Sequence, residues 1–412
     1  MGPHRRLLAV LVAGQVLGGA ATAAGIAVAT ILAKDLLGGD SLAGLAFAGS
    51  TFGAAAAAVP LARRTARRGR RSGLTVGYLV GGVGAVLCVV AAEVEWFPIL
   101  LAGLFLFGAG NAANLLARYA AADLAPPERR ARSISIVVFA TTVGAVAGPN
   151  LLDPSGRLAE AVGLPTLSGP FLVSIACFAV AVLVEWALLR PDPMEVAGLL
   201  GAEIEEAPRR SIAESLEVVR AAPGARLGMG VMVTGHAVMV TVMAMTPLHM
   251  RGDGHSLRVI GLVISLHIAG MYGLSPLVGV AADRIGRLPV AMAGTATLVV
   301  ATLLSASGGS HGVLMVALLL LGIGWSLTLI SGSALLTDSI AAEERPSVQG
   351  VADLAMGVTA GAGGFASGLV VGVLSYEALS LLAAVASIAA GLAVLRRRVL
   401  PIPEPAGATT GA

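Results

Sequence analysis

Between Arg226 and Met250 the chain places thioethers and an imidazole on one side of a helix. At 100° per residue, Met229, Met232, His236, Met239, Met243 and Met250 fall within a sector of roughly 80°. The next apolar segment, about 257–280, carries His267 and Met271 one turn apart. The hairpin therefore presents MxxxM (Met239, Met243) followed by HxxxM (His267, Met271). Met239 and His267 each lie about ten residues from the turn, or about 15 Å at helical rise, near the middle of a bilayer. Sulfur and nitrogen donors without a carboxylate suit a soft cation such as Cu(I), whereas hard cations require oxygen. The predicted metal ligands are Met239, Met243, His267 and Met271, with His236 as an auxiliary. The competing reading is packing, because methionine fills gaps in apolar interiors. A histidine at mid-depth is costly in hydrocarbon and argues for function.

The remainder of the chain specifies a membrane setting. Its 412 residues are 56% hydrophobic and 12% charged, with a mean hydropathy of +0.88. A soluble domain carries about 25% charged residues. Twelve apolar segments of spanning length are predicted near 7–33, 41–61, 73–93, 97–119, 133–152, 169–189, 226–249, 257–280, 289–307, 312–336, 348–373 and 378–395. The fold expected is an all-α integral membrane protein of twelve transmembrane helices in two six-helix pseudo-symmetric halves. The halves are 1–190 and 226–398, joined by a polar cytoplasmic linker, 191–225, and followed by a disordered cytoplasmic tail, 399–412. A short amphipathic helix is expected over Ser211–Arg220 of the linker. The first span is too long for the core of a cleaved signal peptide.

Basic residues set the orientation. Arg63, Arg64, Arg67, Arg68, Arg70 and Arg71 share one loop, and Arg396, Arg397 and Arg398 close the last span. The positive-inside rule then puts both termini in the cytoplasm, with the protein in a bacterial inner membrane. The isoelectric point near 9.2 reflects these loops and not a nucleic-acid partner. Cys88 and Cys177 lie in apolar runs and form neither a disulfide framework nor a zinc site. No nucleophile triad, phosphate loop or nucleotide motif occurs, so an enzyme is not expected and no cofactor is required.

The halves echo one another. Gly279, Asp283, Arg284, Gly286 and Arg287 form GxxxDRxGR after the second span of the second half. Ala62 to Arg71 occupies the same place 217 residues earlier, with Ala62 and Ala66 replacing the glycine and the aspartate. Asp123, Glu128 and Arg130 are echoed by Asp338, Glu343 and Arg345. GxxxDRxGR resembles the signature loop of the major facilitator superfamily, which clamps the cytoplasmic side. The resemblance covers essentially the whole chain and implies transport by alternating access. The loss of the carboxylate at Ala66 puts a first-half latch in doubt, and residues 63–71 are read as setting topology. Gly144, Gly148 and Pro149 resemble the first part of the GxxxGPxxGG element of drug–proton antiporters, without its last glycines; close helix packing is the favoured reading of them.

Within that superfamily the MxxxM and HxxxM pairs resemble those of the CcoA-like copper importers. That resemblance implies copper as cargo, imported through a Met/His site between helices 7 and 8. The alternative is efflux or uptake of a small apolar organic solute, such as a drug or a flavin, with or without proton coupling. The partners expected are thus a small cargo and the lipid bilayer, for a monomer. Asn111, Asn114 and Arg118 form one polar face of the fourth span; with Trp325 they are candidates for the lining of the cavity. Arg118 either snorkels to the surface or gates. Glu93, Glu95 and Glu185 are expected near interfaces, and Asp353 close to the latch.

Overall fold

The computed structural model describes residues 3–37, 44–198, 211–254, 257–308 and 311–399. The described residues contain helices and no strands. In chain order they are α1 Pro3–Leu37, α2 Gly44–Val94, α3 Phe97–Asp123, α4 Arg130–Asn150, α5 Leu152–Ala161, α6 Gly169–Leu188, α7 Pro193–Val196 and α8 Ile212–Ala221. There follow α9 Pro223–Gly252, α10 Leu257–Ile268, α11 Ser275–Ile285, α12 Arg287–Ala306, α13 His311–Asp338, α14 Arg345–Val373 and α15 Tyr376–Val399. Of the expected linker and tail, residues 199–210 and 400–412 lie outside the described residues. The side chains of Gly148 and Pro149 do so too.

Among the described residues, ten helical stretches are long and apolar enough to cross a membrane. One of them, Ala48–Val94, runs over two expected spans and breaks at Gly69, and the expected fifth span is the 21-residue α4. All twelve expected segments thus fall on helices. Ser211 opens α8 with a capping box, accepting from the backbone N–H of Glu214 while Glu214 returns to the Ser211 N–H.

Two glycines turn the chain at equivalent points. Gly69 has φ 83° and Gly286 has φ 101°, conformations that L side chains resist. Each lets one span end and the next restart inside the charged loop. The space over Gly69 is filled by the carboxylate of Asp192.

One departure concerns the eighth span, expected as a single helix over 257–280. It is α10, then a π-helical turn at Ala269–Gly273, then α11. Pro276 explains the break. Its ring lacks an N–H and would clash with the carbonyl of Tyr272 in a regular helix, and the wider turn relieves both. Met271 lies inside the π turn, so its bearing relative to His267 is not that of a regular α-helix.

Apolar burial follows the halves. One set of clusters joins Leu7, Leu11, Tyr78, Phe107, Phe171 and Phe178. The other joins Met232, Met239, Met271, Leu298, Trp325 and Met356, and it takes in Ala131, Ile134 and Val138 from α4. Leu277, Phe365 and Val373 are among many exposed large apolar residues, as lipid-facing surfaces require. Helices α2 and α14, and α4 and α11, meet across the halves. Gly350 and Gly357 lie against Ala62 and Ala55, and Gly279 against Ser135.

Gly69→Ala is expected to lower the apparent melting temperature in detergent by a few degrees. The cost of a left-handed side chain is about 1–2 kcal/mol, to which displacement of Asp192 adds. Thermal unfolding of the purified protein measures it.

Candidate functional site

The polar contacts between the halves form tiers, all towards the face that carries the N-terminus. The deepest tier centres on Arg118, which is 1% exposed. It lies on α3 and pairs with Asp353 of α14, across the halves. Its other donors reach Ser333 Oγ at 3.2 Å, the Leu115 carbonyl at 2.9 Å and Tyr119 Oη at 3.0 Å. Met232 Sδ of α9 accepts from Ser333 Oγ at 3.2 Å and lies 3.6 Å from Arg118 Nη2. One guanidinium therefore ties together α3, α9, α13 and α14. Arg118 does not snorkel. In an apolar interior its charge requires the Asp353 carboxylate and a full set of acceptors.

The middle tier lies one helical turn nearer the surface. Arg70 donates to Asp123 Oδ2 at 2.8 Å and to Gln349 Oε1 of α14 at 2.7 Å. Arg70 is buried, so the arginine run does more than set topology. The carboxylate absent at Ala66 is not replaced in kind, but the arginine at the other end of the motif supplies a latch. Asp192 accepts from the backbone N–H groups of Arg70, Arg71 and Met194. It thereby caps the span that restarts after Gly69.

The outer tier is the GxxxDRxGR loop. Asp283 accepts from the backbone N–H groups of Ala131 and Arg132, at 3.1 and 2.8 Å, at the start of α4 in the opposite half. A carboxylate at a helix N-terminus satisfies free amides and the helix dipole together. Arg287 reaches Asp338 at 3.2 Å, Asp283 at 2.9 Å and the Pro127 carbonyl across the halves. Arg130 crosses to Asp338 at 2.6 Å. Arg284 is exposed and borders a groove of about 440 Å³ with Glu128, Arg129 and Arg132. The pairs Arg70–Asp123 and Arg287–Asp338 are counterparts in the internal repeat.

Away from these tiers, one turn beyond Met232 on α9, lies an aromatic group. Trp325 Nε1 of α13 donates to His236 Nδ1 at 2.9 Å. Tyr272 from the π turn meets Trp325 edge-to-face, with centroids 5.5 Å apart. His236 and Tyr272 are half-buried and Trp325 is 4% exposed. Met232, which touches Arg118 Nη2 at 3.6 Å, lies one turn from His236 on the same helix.

The remaining expected residues divide. Asn114 is spent inside the first half: Tyr78 Oη donates to its Oδ1 at 3.0 Å, and its Nδ2 donates to Thr22 Oγ1 at 3.2 Å. Asn111 is half-buried. Gly144 packs against Gly19 and Ala20 of α1. His267 is 2% exposed and uses Nδ1 on the Leu318 carbonyl at 2.9 Å, leaving Nε2 without a partner. Met239 and Met271 are buried, and Met243 is half-buried against the same apolar cluster. Helices α9 and α10 pack mainly on α13 and little on each other, so the hairpin expected from spacing is splayed. No group of three or more His, Cys, Asp or Glu residues suited to a metal occurs among the described residues.

Asp353, expected close to the latch, forms its deepest contact. Tyr272, Tyr119, Ser333 and Asp192 were not expected at a site. Tyr272 needed the π turn to be known.

The Major Facilitator Superfamily model matches residues 10–251 and 227–411. The chain belongs to this superfamily. It is 41% identical over 387 residues to YdeG of Bacillus subtilis, an uncharacterized MFS-type transporter, covering 93% of this chain and 90% of that one. It is 25% identical over 367 residues to the riboflavin transporter RfnT of Brucella anthropi, covering 88% of each. The crystal structure of FucP in the outward conformation superposes with a TM-score of 0.76 at 16% identity, covering 96% of this chain and 99% of that one. The protein is therefore a membrane transporter of small solutes and not an enzyme.

Asp353→Asn leaves the Arg118 charge buried without its counter-ion, a change that costs about 3–5 kcal/mol. The latched face should loosen. A cysteine introduced at Ala58, which is 3% exposed beside Gly350, should then react at least about tenfold faster with a maleimide than in the Asp353 background.

Proposed function

We propose that this transporter carries a small planar organic solute, held between the halves against His236, Tyr272 and Trp325. The observation that carries this reading is the aromatic group itself, half-buried immediately beyond the Arg118–Asp353 pair. Aromatic faces recognise flat heteroaromatic solutes by stacking, and imidazole and phenol supply directional hydrogen bonds. Similarity to a riboflavin transporter is compatible with such cargo.

The arginine-rich loops favour a cytoplasmic position for the latched face, in a bacterial inner membrane. The described conformation is then the outward-facing one. Solute enters from outside and rests above the Arg118 tier. The cytoplasmic tiers open from the surface inward as the halves rock, and the solute leaves inward. The binding energy of the solute must favour the state in which Arg118 and Asp353 separate, or it shifts nothing.

A second reading is copper import, favoured by one observation: His267 Nε2 is buried and unpartnered. A buried imidazole nitrogen with thioethers on neighbouring turns suits Cu(I). His236 Nδ1 is already engaged by Trp325, and Met232 Sδ by Ser333. The ligands left are His267, Met271, Met239 and Met243.

Uptake of radiolabelled riboflavin and of radiocopper with reductant, in cells expressing each variant equally, separates the two. Riboflavin uptake above empty vector is expected. It should weaken about tenfold in apparent affinity in Trp325→Ala, the loss of about 1.4 kcal/mol of aromatic contact, and persist in His267→Ala. Riboflavin uptake at vector level, with copper uptake abolished in His267→Ala/Met271→Ala, would replace the first reading by the second.

A further inference from the structure

Glu185 is a carboxylate in the wrong place for a structural role. It lies on α6 one turn from the helix end, where spacing suggested an interface. Instead it is 0% exposed, and among the described residues neither Oε1 nor Oε2 has a hydrogen-bond partner. It continues the buried stripe of Phe171, Ser174, Phe178 and Ala181, seven residues on from Phe178. Gly14 of α1 sits directly against it, and a Cβ at that position would collide with Oε1. The first half has left room for this group.

No cationic side chain pairs directly with it among the described residues. From α1 the neighbour is Gly14, on the helix whose Leu7 and Leu11 cluster with Ala181 and Leu189, the residues one turn either side of Glu185. From α2 the titratable group is Tyr78, whose hydroxyl is already given to Asn114. From the segment before α7 it is Asp192, an anion, which repels a negative charge on Glu185. A bare carboxylate in such a setting costs many kcal/mol, so the group carries a proton.

Its cover is tied to the latch. Leu189, which is 0% exposed, and Val196 pack in the cluster that holds Leu7 and Ala181. Between them Asp192 is fixed to the backbone of Arg70 and Arg71. Arg70 in turn crosses to Gln349 in the other half. A continuous chain of contacts thus runs from the cross-half latch to the lid over Glu185.

We propose that Glu185 is a proton-binding site of this transporter, holding a proton while the Arg70–Gln349 contact is closed and releasing it to water when that contact opens. The step is a simple acid dissociation: the O–H bond of the Glu185 carboxyl breaks, the electron pair stays on oxygen and water takes the proton. It holds whichever cargo is carried, and it gives the protein a means to couple a proton gradient to the movement of its halves.

Infrared absorption of the full-length protein in lipid nanodiscs tests this without cargo. A protonated-carboxyl C=O band lost in Glu185→Gln, and present at neutral pH in the parent, is expected. Coincident spectra of the two would overturn the assignment. Titration of that band then tests the coupling. Gln349→Ala removes the cross-half contact without altering charge and should lower the titration midpoint by about one pH unit or more, as water reaches Glu185. Arg70→Ala gives a second reading with opposing signs. Loss of a nearby cation alone would raise the midpoint, whereas opening of the lid lowers it. An unchanged midpoint in Gln349→Ala, or a raised one in Arg70→Ala, would overturn the link to the latch.

Discussion

A single buried guanidinium organises the closed face of this transporter. Arg118 cannot shed its proton and cannot reach water, so every acceptor must come from the protein. Asp353 neutralises it, and Ser333, Tyr119 and the Leu115 carbonyl fill its remaining donors. These partners come from both halves. The conformation that satisfies Arg118 is therefore one in which the halves are together on this side. Separation requires that water, or a solute, substitute for them. Such a pair contributes little to net stability, because desolvation offsets attraction; its effect is to make intermediate separations costly. That is what a two-state gate needs.

The outer tiers work by a different physics. Asp283 uses the free amides at the start of α4, and Arg287, Arg130 and Asp338 share partly exposed charges. Screened by solvent, each such contact is worth about 1 kcal/mol or less. They break singly and cheaply. Arg118 is buried deeper and breaks only with the rest. A gate graded in this way opens from its surface inward, and Arg118–Asp353 is the last contact to yield.

How far these features could be read beforehand depends on whether they are periodic. Twelve spans, the repeat and GxxxDRxGR follow from hydropathy and spacing, and the helices lie where those put them. The first-half latch was misjudged because the motif was compared position by position. Ala66 has no carboxylate, but Arg70 keeps its counterpart's role through Asp123 and Gln349, residues 53 and 279 positions away. Such distant contacts leave no local signature. The Met/His spacing of the eighth span assumed a regular helix, and Pro276 converts one turn to π geometry. Glu185 was assigned to an interface from its distance to the helix end. Its helical face, shared with Phe178, was the better guide.

The two halves also divide their labour, despite the repeat. The second half concentrates its recognition chemistry on α9, the π turn and α13, where His236, Tyr272 and Trp325 meet. The first half spends Asn114, Tyr78 and Thr22 on one another and keeps an unpartnered carboxyl behind them. Both arrangements adjoin the contacts between the halves: Arg118 touches Met232 one turn from His236, and the Arg70 backbone holds Asp192 in the segment that follows Glu185. A shift of the halves that breaks the arginine contacts therefore alters the aromatic group and the buried carboxyl together. The proposed coupling requires no long relay, because the residues that join the halves lie one helical turn or a few residues from the groups on either side.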